Sequence, residues 1–343
     1  MNASIQEPTA SRPRAMTKDY GFGSRFKLLL RREFWENKGG FLWAPIITGI
    51  IAAVFATIGM VFATIFIQKA KSEGDFETHF KADPSDGFKA LGALSDGILA
   101  NGMIISMLVM IFVVFFYALG SLYDERRDRS VLFWKSLPIS DVEVVLSKAA
   151  WALVLAPVLG LVLGVFIGLA IWLIAALGMA VNGLPGMGSF FTESNPLRVI
   201  GQFFSVLPVY IMWSVPTIGW LMLCSAWSRR FPFLWAVLVP LLGCAMLSMT
   251  GGIVSAMTDA QFPHGDIWYV VVVRGLSSLI PGLWYVNAVD AERVLKGTEG
   301  VSAQLDLSSS WAAFGTLDMW AGVAIGAAMI FLAIRLRRWR DEG

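Results

Sequence analysis

Six long apolar stretches dominate this chain, at roughly 41 to 68, 100 to 123, 145 to 181, 200 to 227, 232 to 256 and 310 to 335. Crossing a bilayer takes about 20 mostly apolar residues as a helix, and each stretch reaches that length. The runs are continuous and do not alternate, so they read as helices and not as barrel strands. The expected fold is an all-α polytopic membrane protein with six transmembrane helices. The third stretch exceeds what a span needs, so it should tilt or protrude, and Pro157 is placed to bend it. Composition agrees: 56% of the residues are hydrophobic, above the roughly 45 to 50% of soluble domains.

Charge sets the orientation. Nineteen of the 27 Lys and Arg residues fall in residues 1 to 40, in 122 to 148, at Arg229 and Arg230, and in the tail from Arg335 to Arg340. The alternate connections hold the other eight. Positive charge is retained on the cytoplasmic side, so both termini are expected there in an integral membrane protein. The net charge of +2 is too small to point to a nucleic-acid partner. Membrane lipid is the first partner to consider.

Residues 1 to 23 lack apolar periodicity and read as a flexible cytoplasmic N-terminus, with no short apolar core of a cleavable signal. Residues 24 to 40 read as an interfacial elbow helix. Phe26, Leu29, Leu30 and Phe34 share one face, expected in the lipid boundary, and Gly39 and Gly40 are expected to end the helix. Residues 257 to 318 form an acidic external segment with seven Asp and Glu against three Lys and Arg. Within it, Ile267 to Val289 competes for a seventh span. Arg274 and Pro281 near its middle, and the parity of the basic tail, favour a re-entrant or interfacial element before the last helix.

No GxxxxGK[ST] phosphate loop occurs, and no catalytic nucleophile motif is present. His79 and His264 lack metal-ligand spacing, and Cys224 and Cys244 read as packing residues, so no metal site is expected. The spans are nearly free of charge except at their ends, as at Lys148, which argues against an ion-driven pump. Gly160, Gly164 and Gly168 recur at four-residue spacing, as do Gly322 and Gly326, which suits close helix packing within one chain or between subunits.

The charges concentrate in the loop 124 to 140. Asp124 to Arg129 reads DERRDR, followed by SVLFWK, a Leu137-Pro138 step, and Ser140 to Glu143 as a capping box opening the next helix. Self-neutralising ion pairs at the end of a span explain such a block. A docking surface explains it equally, with Phe133 and Trp134 as aromatic anchors inside a charged rim.

This loop resembles ABC-2 type transporter permeases, in which a Glu-Arg pair ends the second span and is followed by a short helix, a Leu-Pro step and the third span. The matching residues are Glu125-Arg126, SVLFWKSLP and SDVEVVLSKA. REFWENKGGFLWAP, from Arg32 to Pro45, is similar to the family's surface helix, and SRRFPFLWAVLVP, from Ser228 to Pro240, to its turn between the fourth and fifth spans. Arg129-Ser130 departs from the pattern, where many members place a glycine or small residue before the hydroxyl.

The resemblance implies the permease subunit of an ATP-binding cassette exporter in a bacterial cytoplasmic membrane. Such a chain is not itself an enzyme. It pairs with a second permease chain and with two separate ATPase subunits, which hold ATP and Mg. By position, the resemblance makes Glu125, Arg126, Arg127, Asp128, Arg129, Phe133, Trp134, Lys135, Leu137 and Pro138 the coupling residues. It puts Arg31, Arg32, Glu33 and Glu36 of the elbow helix near the ATPase. An ion-coupled secondary transporter and a non-transporting membrane scaffold are the alternatives.

Overall fold

A computed structural model describes residues 21–73, 84–128, 139–183, 187–258, 262–286 and 309–340. Arg129, Phe133, Trp134, Lys135, Leu137, Pro138 and His79 lie outside the described residues, as do 1–20. The described residues form helices and turns and contain no strand.

Helix α1 spans Phe22–Glu36. A π turn, Gly39–Trp43, leads into α2, Ala44–Glu73. Helix α3 runs Pro84–Gly120 and the short α4 Tyr123–Arg127. Helix α5, Asp141–Ala150, passes through the π turn Trp151–Leu155 into α6, Ala156–Asn182. Then come α7, Met187–Thr192, and α8, Pro196–Trp227. The π turn Leu234–Leu238 opens α9, Val239–Thr258. Helix α10, His264–Trp268, continues as a π turn over Tyr269–Leu276, and α11, Leu317–Arg340, ends the described chain.

Six helices are long and apolar enough to cross a membrane: α2, α3, α5 with α6, α8, α9 and α11. Large apolar side chains such as Ile50, Phe55, Phe62, Phe66, Met246 and Met249 are exposed on their outer faces, as lipid-facing residues would be. The segment from His264 to Leu276 is one short helix of 5 and 8 residues. At 1.5 Å per residue it is about 20 Å long, short of a hydrocarbon core of about 30 Å. After it, Gly282 takes a φ of 90° that lets the chain turn.

Several boundaries differ from those read along the sequence. Helix α3 begins at Pro84 and not near 100, because its polar first turns carry Leu91 and Ile98 into a cluster with Trp172 and Phe190. Residues 309 to 315 form a 3-10 turn, and the last long helix starts at Leu317. Pro157 sits in the first turn of α6 just after a π turn. A proline there has no N–H to give the preceding turn, and the wider winding accommodates its ring.

Glycines set the closest helix contacts. A Cβ on Gly102 would lie 2.2 Å from Gly168 Cα, and one on Gly164 would lie 2.9 Å from Met103 Cα. A Cβ on Gly160 would meet Met110 Cβ at 3.2 Å. The 160, 164, 168 stripe therefore packs α6 against α3 of the same chain. On the other side of the bundle, a Cβ on Gly219 of α8 would lie 2.4 Å from the Gly326 carbonyl oxygen of α11. Gly40 serves the same end, since its Cβ would meet Val113 Cγ1 at 2.9 Å.

Candidate functional site

The largest core cluster lies at the end of the bundle where α1, α4, the start of α5 and the end of α11 meet. Phe41, Val114, Leu119, Trp151, Ile218, Met222 and Ala333 belong to it. Helix α1 docks here by its apolar face. Leu29 is buried, Phe34 stacks on Trp151 with ring centroids 5.6 Å apart, and Trp151 Nε1 donates to the Leu30 carbonyl at 2.7 Å. The face expected to meet lipid is thus turned onto protein, because the π turn at Trp151 presents an indole with an N–H that needs an acceptor.

Glu33 occupies the same face of α1 as Leu29 and Leu30 and is 0% exposed. A carboxylate removed from water must be paired. The Tyr117 hydroxyl donates to Glu33 Oε2 at 2.8 Å, and Lys148 Nζ lies 3.0 Å from Oε1. Lys148, 4% exposed, also lies 3.1 Å from Glu125 Oε1. Arg337 Nη1 donates to Glu125 Oε2 at 2.6 Å, and its Nε donates to Asp141 Oδ1 at 3.0 Å. Arg32 reaches Glu125 at 3.4 Å and Glu36 at 2.6 Å.

Glu33, Glu125, Lys148 and Arg337 are the enclosed centre of this network, and their charges cancel. They come from α1, α4, α5 and α11, so the network ties four elements that are distant in sequence. Breaking one member of such a buried set leaves an uncompensated charge, at a cost of about 3 to 5 kcal/mol. Asp141 and Glu143 also begin α5, where the Ser140 side chain accepts from the Glu143 N–H and Glu143 returns a bond to the Ser140 N–H. This is the capping box expected from the sequence.

Beside Glu125, Arg126 faces the other way. Its guanidinium donates to the carbonyls of Ser225 and Ala226, and to that of Ser228 at 3.2 Å, at the C-terminal end of α8. Ser225 Oγ in turn accepts from the Leu122 and Tyr123 N–H groups at 3.0 and 2.9 Å. The link between α3 and α4 is therefore fastened to the end of α8. Unsatisfied C-terminal carbonyls carry partial negative charge, which a guanidinium meets well.

The charge block is split by these contacts. Glu125 is buried and Arg126 half-buried, while Arg127 and Asp128 are exposed. On α1, Glu33 is buried and Arg32 half-buried, whereas Arg31 and Glu36 are exposed. A cavity of about 830 Å³ lies beside the network, with Arg32, Glu36, Tyr117, Asp124 and Asp128 among its walls.

A further buried charge, outside this network, lies on the π turn after α10. Arg274 is 5% exposed, donates to the Trp213 carbonyl at 2.7 Å, and stands 3.7 Å over the Trp213 ring. It also donates to the carbonyls of Asp318 and Met319 at 3.2 and 3.3 Å. Gly322 makes room for it, since a Cβ there would lie 2.1 Å from Arg274 Nη2. The Tyr269 hydroxyl donates to Asp318 Oδ2. Burial first, and then that carboxylate, push the Tyr269 phenol above its ordinary value, so it stays protonated as a donor. Burial lowers the Arg274 guanidinium, opposed by Asp318.

No family model, curated protein or solved structure matches the chain. Among the described residues, no group of His, Cys, Asp and Glu is arranged to hold a metal ion. Cys224 and Cys244 are buried free thiols.

Sequence reasoning did not find Tyr117, Asp141 or Arg337 as members of the network. For Arg337 a signal existed. Ile330, Ala333 and Arg337 recur at helical spacing and are all buried, while Arg335 and Arg338 on either side of Arg337 are exposed. For Tyr117 there was none, because nothing local distinguishes a tyrosine facing a carboxylate from one facing lipid.

Proposed function

We propose that this chain is the permease subunit of an ATP-binding cassette exporter of the ABC-2 type. In this reading it works as a pair in a bacterial cytoplasmic membrane, with both termini in the cytoplasm and two separate ATPase chains docked there. The observation that carries it is the buried network of Glu33, Glu125, Lys148 and Arg337. That network joins the surface helix, the start of the 124 to 140 loop, and the ends of two long helices. It makes them one stiff block next to the loop whose sequence resembles a coupling segment.

Such a block lets a push on the loop move the long helices as rigid bodies, where a flexible attachment would absorb the displacement locally. The division of the charged residues fits this use. Glu33 and Glu125 hold the block together from inside, while Arg31, Glu36, Arg127 and Asp128 lie on the surface where a partner can reach them. The absence of a phosphate loop in the sequence accords with ATP and Mg being held by the partner chains.

Trp134→Ala combined with Arg127→Ala tests the reading and leaves Glu33, Glu125, Lys148 and Arg337 in place. The expected result is loss of ATPase co-purification and of ATP-driven transport in a chain that still folds. A variant that keeps both at the wild-type level excludes the docking assignment.

A further inference from the structure

Between α3 and α8, closed at one end by the turn after Leu279, lies a cavity of about 600 Å³. That volume falls within the range of about 300 to 1,000 Å³ typical of small-molecule sites. Its middle is apolar, with Met107, Leu108, Leu161, Val206 and Leu207 among its walls. Its polar groups lie at two levels. Arg198 and Gln202 stand near the start of α8, and Tyr210 and Trp284 lie deeper. From Arg198 to Tyr210 is twelve residues of helix, or about 18 Å.

Three of these side chains, Arg198, Gln202 and Tyr210, offer hydrogen-bond donors. Tyr210 is 4% exposed and its hydroxyl has no hydrogen-bond partner among the described residues. The Arg198 guanidinium and the Gln202 amide make no ion pair or hydrogen bond among the described residues. The one carboxylate on the wall, Asp96, is engaged, accepting the Asn195 N–H at 2.8 Å. Arg198 is exposed and Gln202 half-buried, where water serves them, whereas buried polar groups are ordinarily satisfied within the protein, so the idle Tyr210 hydroxyl in the deeper part calls for a ligand that brings an acceptor.

We propose that this cavity binds an amphiphile with an anionic head and an apolar body. The head pairs with Arg198 and Gln202, where a charge-assisted bond to a carboxylate or phosphate is strong. The body lies along the apolar middle, and an acceptor further down meets the Tyr210 hydroxyl. Arg198 is two residues from the start of a spanning helix, which puts the head at the membrane boundary and the body at hydrocarbon depth. The proposal needs only that the chain spans a membrane and stands apart from the ATPase reading. Either a bilayer lipid or a free amphiphile has this chemistry.

The test uses the full-length chain in phosphatidylcholine nanodiscs with a fluorescent fatty acid as probe. Gly97 lines the cavity and a Cβ there meets nothing within 4 Å, so Gly97→Phe starts a bulky side chain from an open position on its wall. The expected result is probe binding weakened at least tenfold by Gly97→Phe and by Arg198→Gln, and several-fold by Tyr210→Phe. The corresponding fatty alcohol should bind the wild type at least tenfold more weakly than the acid. Phosphatidylglycerol added to the discs then separates the sources: competition assigns the site to a bilayer lipid, and its absence to a free amphiphile. Equal binding by wild type and a folded Gly97→Phe overturns the proposal. If that variant does not fold, equal binding by the exposed-site variant Arg198→Gln overturns it, as does an alcohol that binds as tightly as the acid.

Discussion

Lys148 Nζ stands 3.0 Å from Glu33 Oε1, with the lysine 4% and the glutamate 0% exposed, although 115 residues separate them. The pair fastens the surface helix α1 to the start of the third long helix. Neither charge has water to fall back on.

Lys148→Met should therefore lower stability by about 3 to 5 kcal/mol, because it leaves Glu33 without its cation. The pair variant Glu33→Leu with Lys148→Met should recover much of the loss, since Glu125 retains Arg337. Unfolding in detergent followed by tryptophan fluorescence measures both. A single variant as stable as the wild type would contradict the network's role.

Gly168→Val should prevent α3 and α6 from approaching, because a Cβ there already lies 2.6 Å from the Leu99 carbonyl oxygen. Overpacking of this kind costs about 1 to 3 kcal/mol, and more where backbone must move. Gly59→Ala on α2, with nothing within 4 Å of its Cβ, should leave stability unchanged or slightly raised. Size-exclusion profiles and unfolding temperatures of the two variants make the comparison.

Arg274→Lys should not replace the arginine. One ammonium cannot serve the carbonyls of Trp213, Asp318 and Met319 and also lie flat over the Trp213 ring. The expected loss is about 2 kcal/mol, read as a lower unfolding temperature with easier proteolysis between α10 and α11.

Tyr269→Phe removes the donor to Asp318 and should cost about 1.5 to 3 kcal/mol. The folded-state phenol is held above its unfolded value by burial and then by Asp318. Its contribution is therefore fully present below the ordinary tyrosine range near pH ~10 and is lost as pH rises through the higher folded value. The stability difference between wild type and Tyr269→Phe should stay constant from neutral to mildly alkaline pH and shrink above that range. A difference that disappears below pH ~9 would rule out the assignment, because an unperturbed phenol is still protonated there.

Ser140→Ala should cost about 1 kcal/mol by removing the cap of α5. Ser140→Asp should keep most of it. Hydrogen exchange at the Asp141 to Glu143 amides distinguishes a frayed helix start from a general loss of stability.

Much of the fold was legible because long apolar runs admit few alternatives, and the capping box at Ser140 and Glu143 is a local pattern that local geometry satisfies. The glycine stripe was legible as packing, but its partner was not. Only α3 lying across α6 decides that Gly168 meets Gly102. Helix α3 was read short because residues 84 to 99 look too polar for a span, yet Leu91 and Ile98 among them pack on Trp172 and Phe190.

The charged residues divide the same way. That Asp124 to Arg129 form a charge block is plain in the sequence, as is the basic tail. Composition and periodicity determined that this is a helical protein with six helices long and apolar enough to cross a membrane, because hydrophobic length is a property of contiguous residues. Which of its charges are enclosed was decided by tertiary structure alone. Glu33, Glu125, Lys148 and Arg337 sit on four separate elements, and a buried charge becomes tolerable only when the fold delivers its counter-charge from elsewhere in the chain.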